Sequence, residues 1–64
     1  MRNYFVFVNY YESNRLSPID CDSLLMTGYD DCADAWDSAG EHFLNYLKEK
    51  GYDRFVISEF KEIE

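Results

Sequence analysis

"NYFVFVNYY", residues 3–11, decides the fold. Its density of aromatic and β-branched residues is that of a strand. Both alternating sets are apolar: Tyr4, Val6 and Val8 on one face, Phe5 and Phe7 on the other. A strand apolar on both faces belongs in the middle of its sheet, so this one is expected between two others. "ESNRLSP", residues 12–18, comes next as a turn or irregular loop in which Ser, Asn and Pro18 are the turn formers.

On the far side of that loop, a second strand is expected within residues 19–27, "IDCDSLLMT", with its apolar content in Leu24, Leu25 and Met26 and with Gly28 punctuating it. Residues 32–50 have helical periodicity. At about 100° per residue, Cys32, Ala35, Trp36, Ala39, Gly40, Phe43, Tyr46 and Leu47 fall on one broad arc, with Leu44 at its margin. Asp34, Asp37, Glu41, Asn45 and Lys48 fall opposite. Asp30 or Asp31 supplies the N-cap, Lys48 and Lys50 sit in the last turn, and Gly51 supplies the left-handed residue after it. Gly40, on the apolar arc, is expected to let the helix approach the sheet closely. "RFVISEFKEIE", residues 54–64, reads as the last strand, with Phe55 and Ile57 alternating with Val56, Ser58 and Phe60.

The expected architecture is therefore one α+β domain spanning residues 1–64, in the order β-β-α-β. A right-handed crossover from strand two to a parallel strand three leaves room for strand one between them, giving sheet order 2-1-3. One helix covers one face of the sheet. The other face stays open although strand one supplies it with large apolar residues, and an exposed apolar face normally marks an interface.

Bulk properties narrow the function classes. A chain of 64 residues buries only about 60% of its unfolded surface and has no room for a deep cleft beside a second domain. Its net charge of −7 makes free nucleic acid and anionic membrane poor partners and a basic protein surface a good one. No apolar stretch approaches a membrane span, and Met1-Arg2 leads straight into a strand-like run with no signal peptide pattern. Cys21 and Cys32 without secretory features point to free thiols in a reducing cytoplasm.

The charge is distributed unevenly. Residues 16–47 hold Asp20, Asp22, Asp30, Asp31, Asp34, Asp37 and Glu41 and no Lys or Arg. The rest of the chain holds six acids and six bases, so this block accounts for the whole net charge. Capping and the helix dipole explain Asp30, Asp31 and Asp34. They do not explain Asp37 and Glu41, which form like-charge pairs three and four residues apart, nor Asp20 and Asp22 on the preceding segment. A surface that needed only solubility would mix both signs.

Chemistry-bearing patterns are sparse. "DCD" and "DDC" lack the spacing of a zinc site, and the Asp spacing after residue 20 does not fit an EF-hand loop, so no metal or cofactor is expected. Cys32 lies nearly three helical turns from the lone His42, too far for a catalytic pair, whereas Cys21 with His42 stays open. The ordinary reading makes Cys32 a small core residue and His42 a boundary residue. Phosphate-cradling and nucleophile-elbow motifs are missing, so an enzyme is not expected.

Two readings of function are consistent with this pattern. In the first, Asp20, Asp22, Asp30, Asp31, Asp34, Asp37 and Glu41 dock on a basic, nucleic-acid-binding protein surface as a DNA mimic would, with Tyr29, Trp36 or Tyr46 as desolvated anchors. Size, acidity and lack of chemistry give the chain the general character of small phage-encoded antagonists of host defence, which would place it in the host cytoplasm. In the second, the open sheet face, with candidates Tyr4, Phe5, Phe7 and Phe60, makes a homodimer or docks a partner in an assembly role. "GYDDCADAWDSAGEHFLNYL", residues 28–47, is similar to the sheet-to-helix step of small antitoxin-like domains, though no residue role is carried over.

Overall fold

The structure is a computed structural model that describes residues 1–63. Glu64, the end of the expected last strand, lies outside the described residues. The elements are β1 (Arg2–Tyr11), β2 (Asp20–Tyr29), α1 (Cys32–Lys50) and β3 (Arg54–Ile63). The sheet order is β2-β1-β3, and β1 pairs antiparallel with both neighbours. This is the β-β-α-β, 2-1-3 arrangement that the two-sided apolar pattern of residues 3–11 predicts.

Alternation along β1 is complete. Tyr4, Val6, Val8 and Tyr10 are buried beneath the helix, with exposures of 0–1%, while Phe5, Phe7, Asn9 and Tyr11 face the other way and are half-buried. Met26 from β2 and Ala35, Ala39, Phe43 and Leu47 from α1 complete the core. Burying the larger of these, Val6, Val8, Met26, Phe43 and Leu47, contributes roughly 1.5–3 kcal/mol each. Phe43 meets Tyr10 edge-on at 6.5 Å and Phe55 at 6.1 Å between ring centroids.

Both outer strands carry a bulge, and each changes a sequence expectation. On β2, Arg2 pairs with Tyr29 but Tyr4 pairs with Met26, so Thr27 and Gly28 together face Asn3. Gly28 takes φ 80°, a left-handed conformation that glycine adopts freely, and its N–H donates to Asn3 Oδ1 at 3.2 Å. The strand therefore runs through Gly28 to Tyr29 instead of stopping at residue 27. On β3, Phe7 pairs with Glu59 and Val8 with Ile57, leaving Ser58 as the extra residue, and the Ser58 hydroxyl donates to the Phe7 carbonyl at 3.2 Å. A one-residue insertion moves every later side chain of the strand to the opposite face. Phe60 thus lies on the same side as Phe55 and Ile57, stacked on Tyr4 at 5.2 Å and against the edge of Trp36 at 5.1 Å. Neither Tyr4 nor Phe60 belongs to the open face.

The helix bounds match those predicted. Asp31 is the N-cap, with extended backbone and Oδ1 accepting the Asp34 N–H at 2.9 Å. At the other end Gly51, at φ 77°, donates to the Lys48 carbonyl, and the Tyr52 N–H donates to the Leu47 carbonyl at 3.0 Å. This is the paired closure of a Schellman cap. Two expected core positions differ. Cys32, in the first turn, is exposed, and Trp36 is 48% exposed on the flank above Phe60. Gly40 has nothing within 4 Å of where a Cβ would stand, so it does not serve close approach. Ala35 and Ala39, both fully buried, have the small side chains that bring helix and sheet together.

Candidate functional site

The helix places Asp34, Asp37 and Glu41 on its outer face. At 3.6 residues per turn they fall within about 60° of arc, opposite the stripe of Ala35, Ala39, Phe43 and Leu47. All three are exposed, and so are Asp30 and Asp31 at the entry to the helix. Asp31 caps the helix and is exposed at once. Asp34, Asp37 and Glu41 form a ridge on the outward N-terminal half of α1, and Asp30 and Asp31 lie just before its first turn.

Lys48 continues the same outer face two turns beyond Glu41, and three of the other bases are held elsewhere. Arg2 Nη1 lies 3.9 Å from Glu62, and Lys61 Nζ lies 3.8 Å from Glu59 and 5.7 Å above the Phe5 ring. The Arg54 guanidinium donates to the carbonyls of Arg15 and Glu12 and lies 4.7 Å above the Tyr11 ring, fastening the β1–β2 loop. Ser13 donates to Asp53, and the Asp53 N–H to the Tyr11 carbonyl, at the same corner. Among the described residues no Lys or Arg forms an ion pair with the ridge.

Asp20 and Asp22 do not join it. Both lie on the helix-covered side of edge strand β2, opposite Tyr10 and Val8, and both are half-buried. Asp20 Oδ2 accepts the Tyr52 hydroxyl at 2.9 Å and the Tyr46 hydroxyl at 3.1 Å, and Oδ1 accepts the Cys21 N–H at 2.8 Å. Asp22 Oδ1 accepts the Ser23 N–H at 2.8 Å. The Tyr10 ring packs 5.0 Å from Tyr46 and 5.4 Å from Tyr52, and Lys50 Nζ stands 5.6 Å from the Tyr46 ring. Tyr29 is likewise half-buried and packs on the core. The eight predicted contact residues thus divide: Asp34, Asp37 and Glu41 share one helix face, Asp30 and Asp31 are exposed just before it, and Asp20, Asp22 and Tyr29 are integrated into the fold.

This tyrosine cluster was not legible in the sequence. Its traceable signal is Tyr52, two residues past the helix end, where an apolar contact accompanies a Schellman cap. Its electrostatics derive from its geometry. The Tyr52 hydroxyl, then the Cys21 N–H and the Tyr46 hydroxyl, hold the Asp20 carboxyl below its ordinary range. Hydrogen bonding to that carboxylate raises Tyr52 and Tyr46 in turn. Burial pushes Tyr10 up to about 12, with Asp22 and Tyr46 adding to it.

The remaining candidates separate. Cys21 is exposed on the open sheet face, whereas His42 is on α1, across the sheet from it, with its ring edge-on to Phe43 at 5.3 Å. A Cys21–His42 pair is excluded by that placement. Among the described residues no three His, Cys, Asp or Glu side chains are grouped to hold a metal ion, and no helix is long and apolar enough to cross a membrane. Comparison with protein-family models, with curated proteins and with solved structures finds no significant match, so any functional reading of the ridge rests on its own geometry.

Proposed function

We propose that the outer face of α1 docks on a basic, nucleic-acid-binding surface of another protein, its carboxylates standing where backbone phosphates would. The observation that carries this reading is that Asp34, Asp37 and Glu41 share one exposed helix face, just after the exposed Asp30 and Asp31, with no ion-pairing base among the described residues. From Asp34 to Glu41 the helix rises about 10.5 Å, so these charges recur about every 5 Å along the axis. One strand of duplex DNA carries a phosphate every ~3.4 Å, a similar linear density. Such a ridge steers a cationic groove toward it. Trp36, half-exposed on the flank of the same helix, has the character of an interface anchor.

The test is capture from a host-cell lysate at low salt, then one-at-a-time binding of the identified proteins. The partner is expected to be basic, to dissociate as salt rises, to be displaced by duplex DNA, and to ignore the D34N/D37N/E41Q triple variant. If the triple variant, folded by circular dichroism, holds the same partner as tightly, this reading is wrong.

A further inference from the structure

The face of the sheet that α1 leaves uncovered has Phe5 and Phe7 at its centre, with Leu25, 62% exposed, and Val56, 48% exposed, on the two outer strands. Its charges differ from those of the rest of the molecule. Arg54 and Lys61 stand on it against Glu59, so it carries two bases and one acid in a chain of net charge −7. Two copies repel on most approaches, and this face is where that repulsion is least.

We infer that the uncovered sheet face is a two-fold interface with a second copy of this chain. The register makes the face complementary to itself. Val6 pairs with Leu24 on one side and Phe60 on the other, so these three residues mark one level across the sheet. Phe5 and Lys61 lie one residue to one side of that level, and Phe7 and Glu59 one residue to the other. A two-fold axis crossing the strands there sets Phe5 over Phe7 of the second copy and Lys61 over Glu59 of the second copy. Each contact is then made twice, as an isologous interface requires. Aligned sheet packing brings such faces together at about 10 Å.

The area is that of a weak association. Ten-residue strands rising ~3.3 Å per residue, three across at ~4.8 Å, give a face of about 33 by 14 Å, within a molecule of 39 × 18 × 14 Å. Covering it on two copies removes on the order of 900 Å² in total, the size of a weak, transient interface. The expected dimer is reversible and concentration-dependent. The two α1 ridges remain outward on opposite sides of it.

Sedimentation equilibrium over a concentration series tests this. The wild-type protein should pass from monomer to dimer mass as concentration rises. Lys61→Glu should raise the dissociation constant roughly tenfold or more, because it sets Glu59 against a like charge. The double swap E59K/K61E should restore it, since the cross-pair is re-formed with its signs exchanged. Leu25→Ser, at a largely exposed position, should weaken the dimer with no change in the circular dichroism spectrum. A wild-type protein that stays monomeric at every soluble concentration overturns the inference. So does a dimer indifferent to Lys61→Glu and Leu25→Ser, or a double swap no better than the single. A monomer that instead binds an unrelated protein through Leu25 and Val56 assigns the face to that partner and overturns it as well.

Discussion

Asp20 and Asp37 belong to the same run without Lys or Arg, yet the fold treats them in opposite ways. Asp20 is enclosed by two tyrosine hydroxyls and a backbone N–H. Asp37 projects from the outer face of α1 beside Asp34 and Glu41, with no cation in ion-pair contact among the described residues. A block of like charge in a sequence is therefore not one surface. An acid supplied with donors strengthens the fold, and an acid left without them remains available to something outside it. The distinction comes from strand alternation and helical phase, which send even-numbered β2 residues under the helix and every third or fourth α1 residue away from it.

The largest expected consequence is in binding. Exposed ion pairs contribute roughly 0.2–1 kcal/mol each. Removing three from one interface, as in D34N/D37N/E41Q, is expected to weaken the partner's hold by up to about a hundredfold, measured by titration calorimetry at fixed salt. Asp20→Asn should leave that affinity unchanged and lower folding stability instead. A variant at Asp20 that abolished binding while leaving stability intact would reverse the comparison.

Titration separates the same two groups. The folded Asp20 carboxyl sits below its ordinary 3.8, so its contribution is complete above that value and is lost as pH falls through the depressed one. Tyr10 is raised from 10.0 to about 12, so its contribution is complete below pH 10 and is lost as pH climbs toward 12. Denaturant unfolding across pH should show both limbs, with Asp20→Asn flattening the acid one. Tyr10→Phe should reduce the alkaline limb, to which the raised Tyr46 and Tyr52 also contribute, and near neutrality raise stability by about 1 kcal/mol. Its hydroxyl is buried without a partner among the described residues, and such a group is costly to keep.

The sequence made the frame legible and the site only partly so. Residues 3–11 dictated the central strand because both of their faces are apolar. The helix ends were readable because Asp31, Lys48, Lys50 and Gly51 each satisfy a local requirement of a helix terminus. What failed was phase. The Ser58 bulge turns Phe60 inward, and no residue type announces it. The Asp20 cluster depends on Tyr10 meeting Asp20 across two strands while Tyr46 and Tyr52 arrive from 26 and 32 residues away. Periodicity along one segment carries no information about such a meeting. Asp34, Asp37 and Glu41 need only helical phase, so their shared face is readable from spacing alone.

Gly40 allows the ridge to be stiffened without altering its charge. It lies between Asp37 and Glu41, has an ordinary helical conformation, and leaves a Cβ free space. Gly40→Ala is expected to raise stability by about 1 kcal/mol. Partner affinity should hold or improve, because fewer helix conformations are lost on docking. A loss of stability would show that Gly40 meets something this geometry does not contain.

The smallest effect is also the most direct test of whether the ridge bears strain for the sake of its exposure. Asp37 faces Asp34 three residues before it and Glu41 four residues after it, and each like pair opposes the helix by ~0.2–0.5 kcal/mol. Asp37→Asn removes both repulsions while keeping shape and nearly the same helix propensity. Stability should rise by a few tenths of a kcal/mol at low ionic strength, and the gain should shrink toward zero as salt screens the wild-type charges. Asp20→Asn should show the opposite sign. If Asp37→Asn destabilised the protein at low salt, Asp37 would have to be making a favourable contact, and the contrast between the two acids would no longer stand.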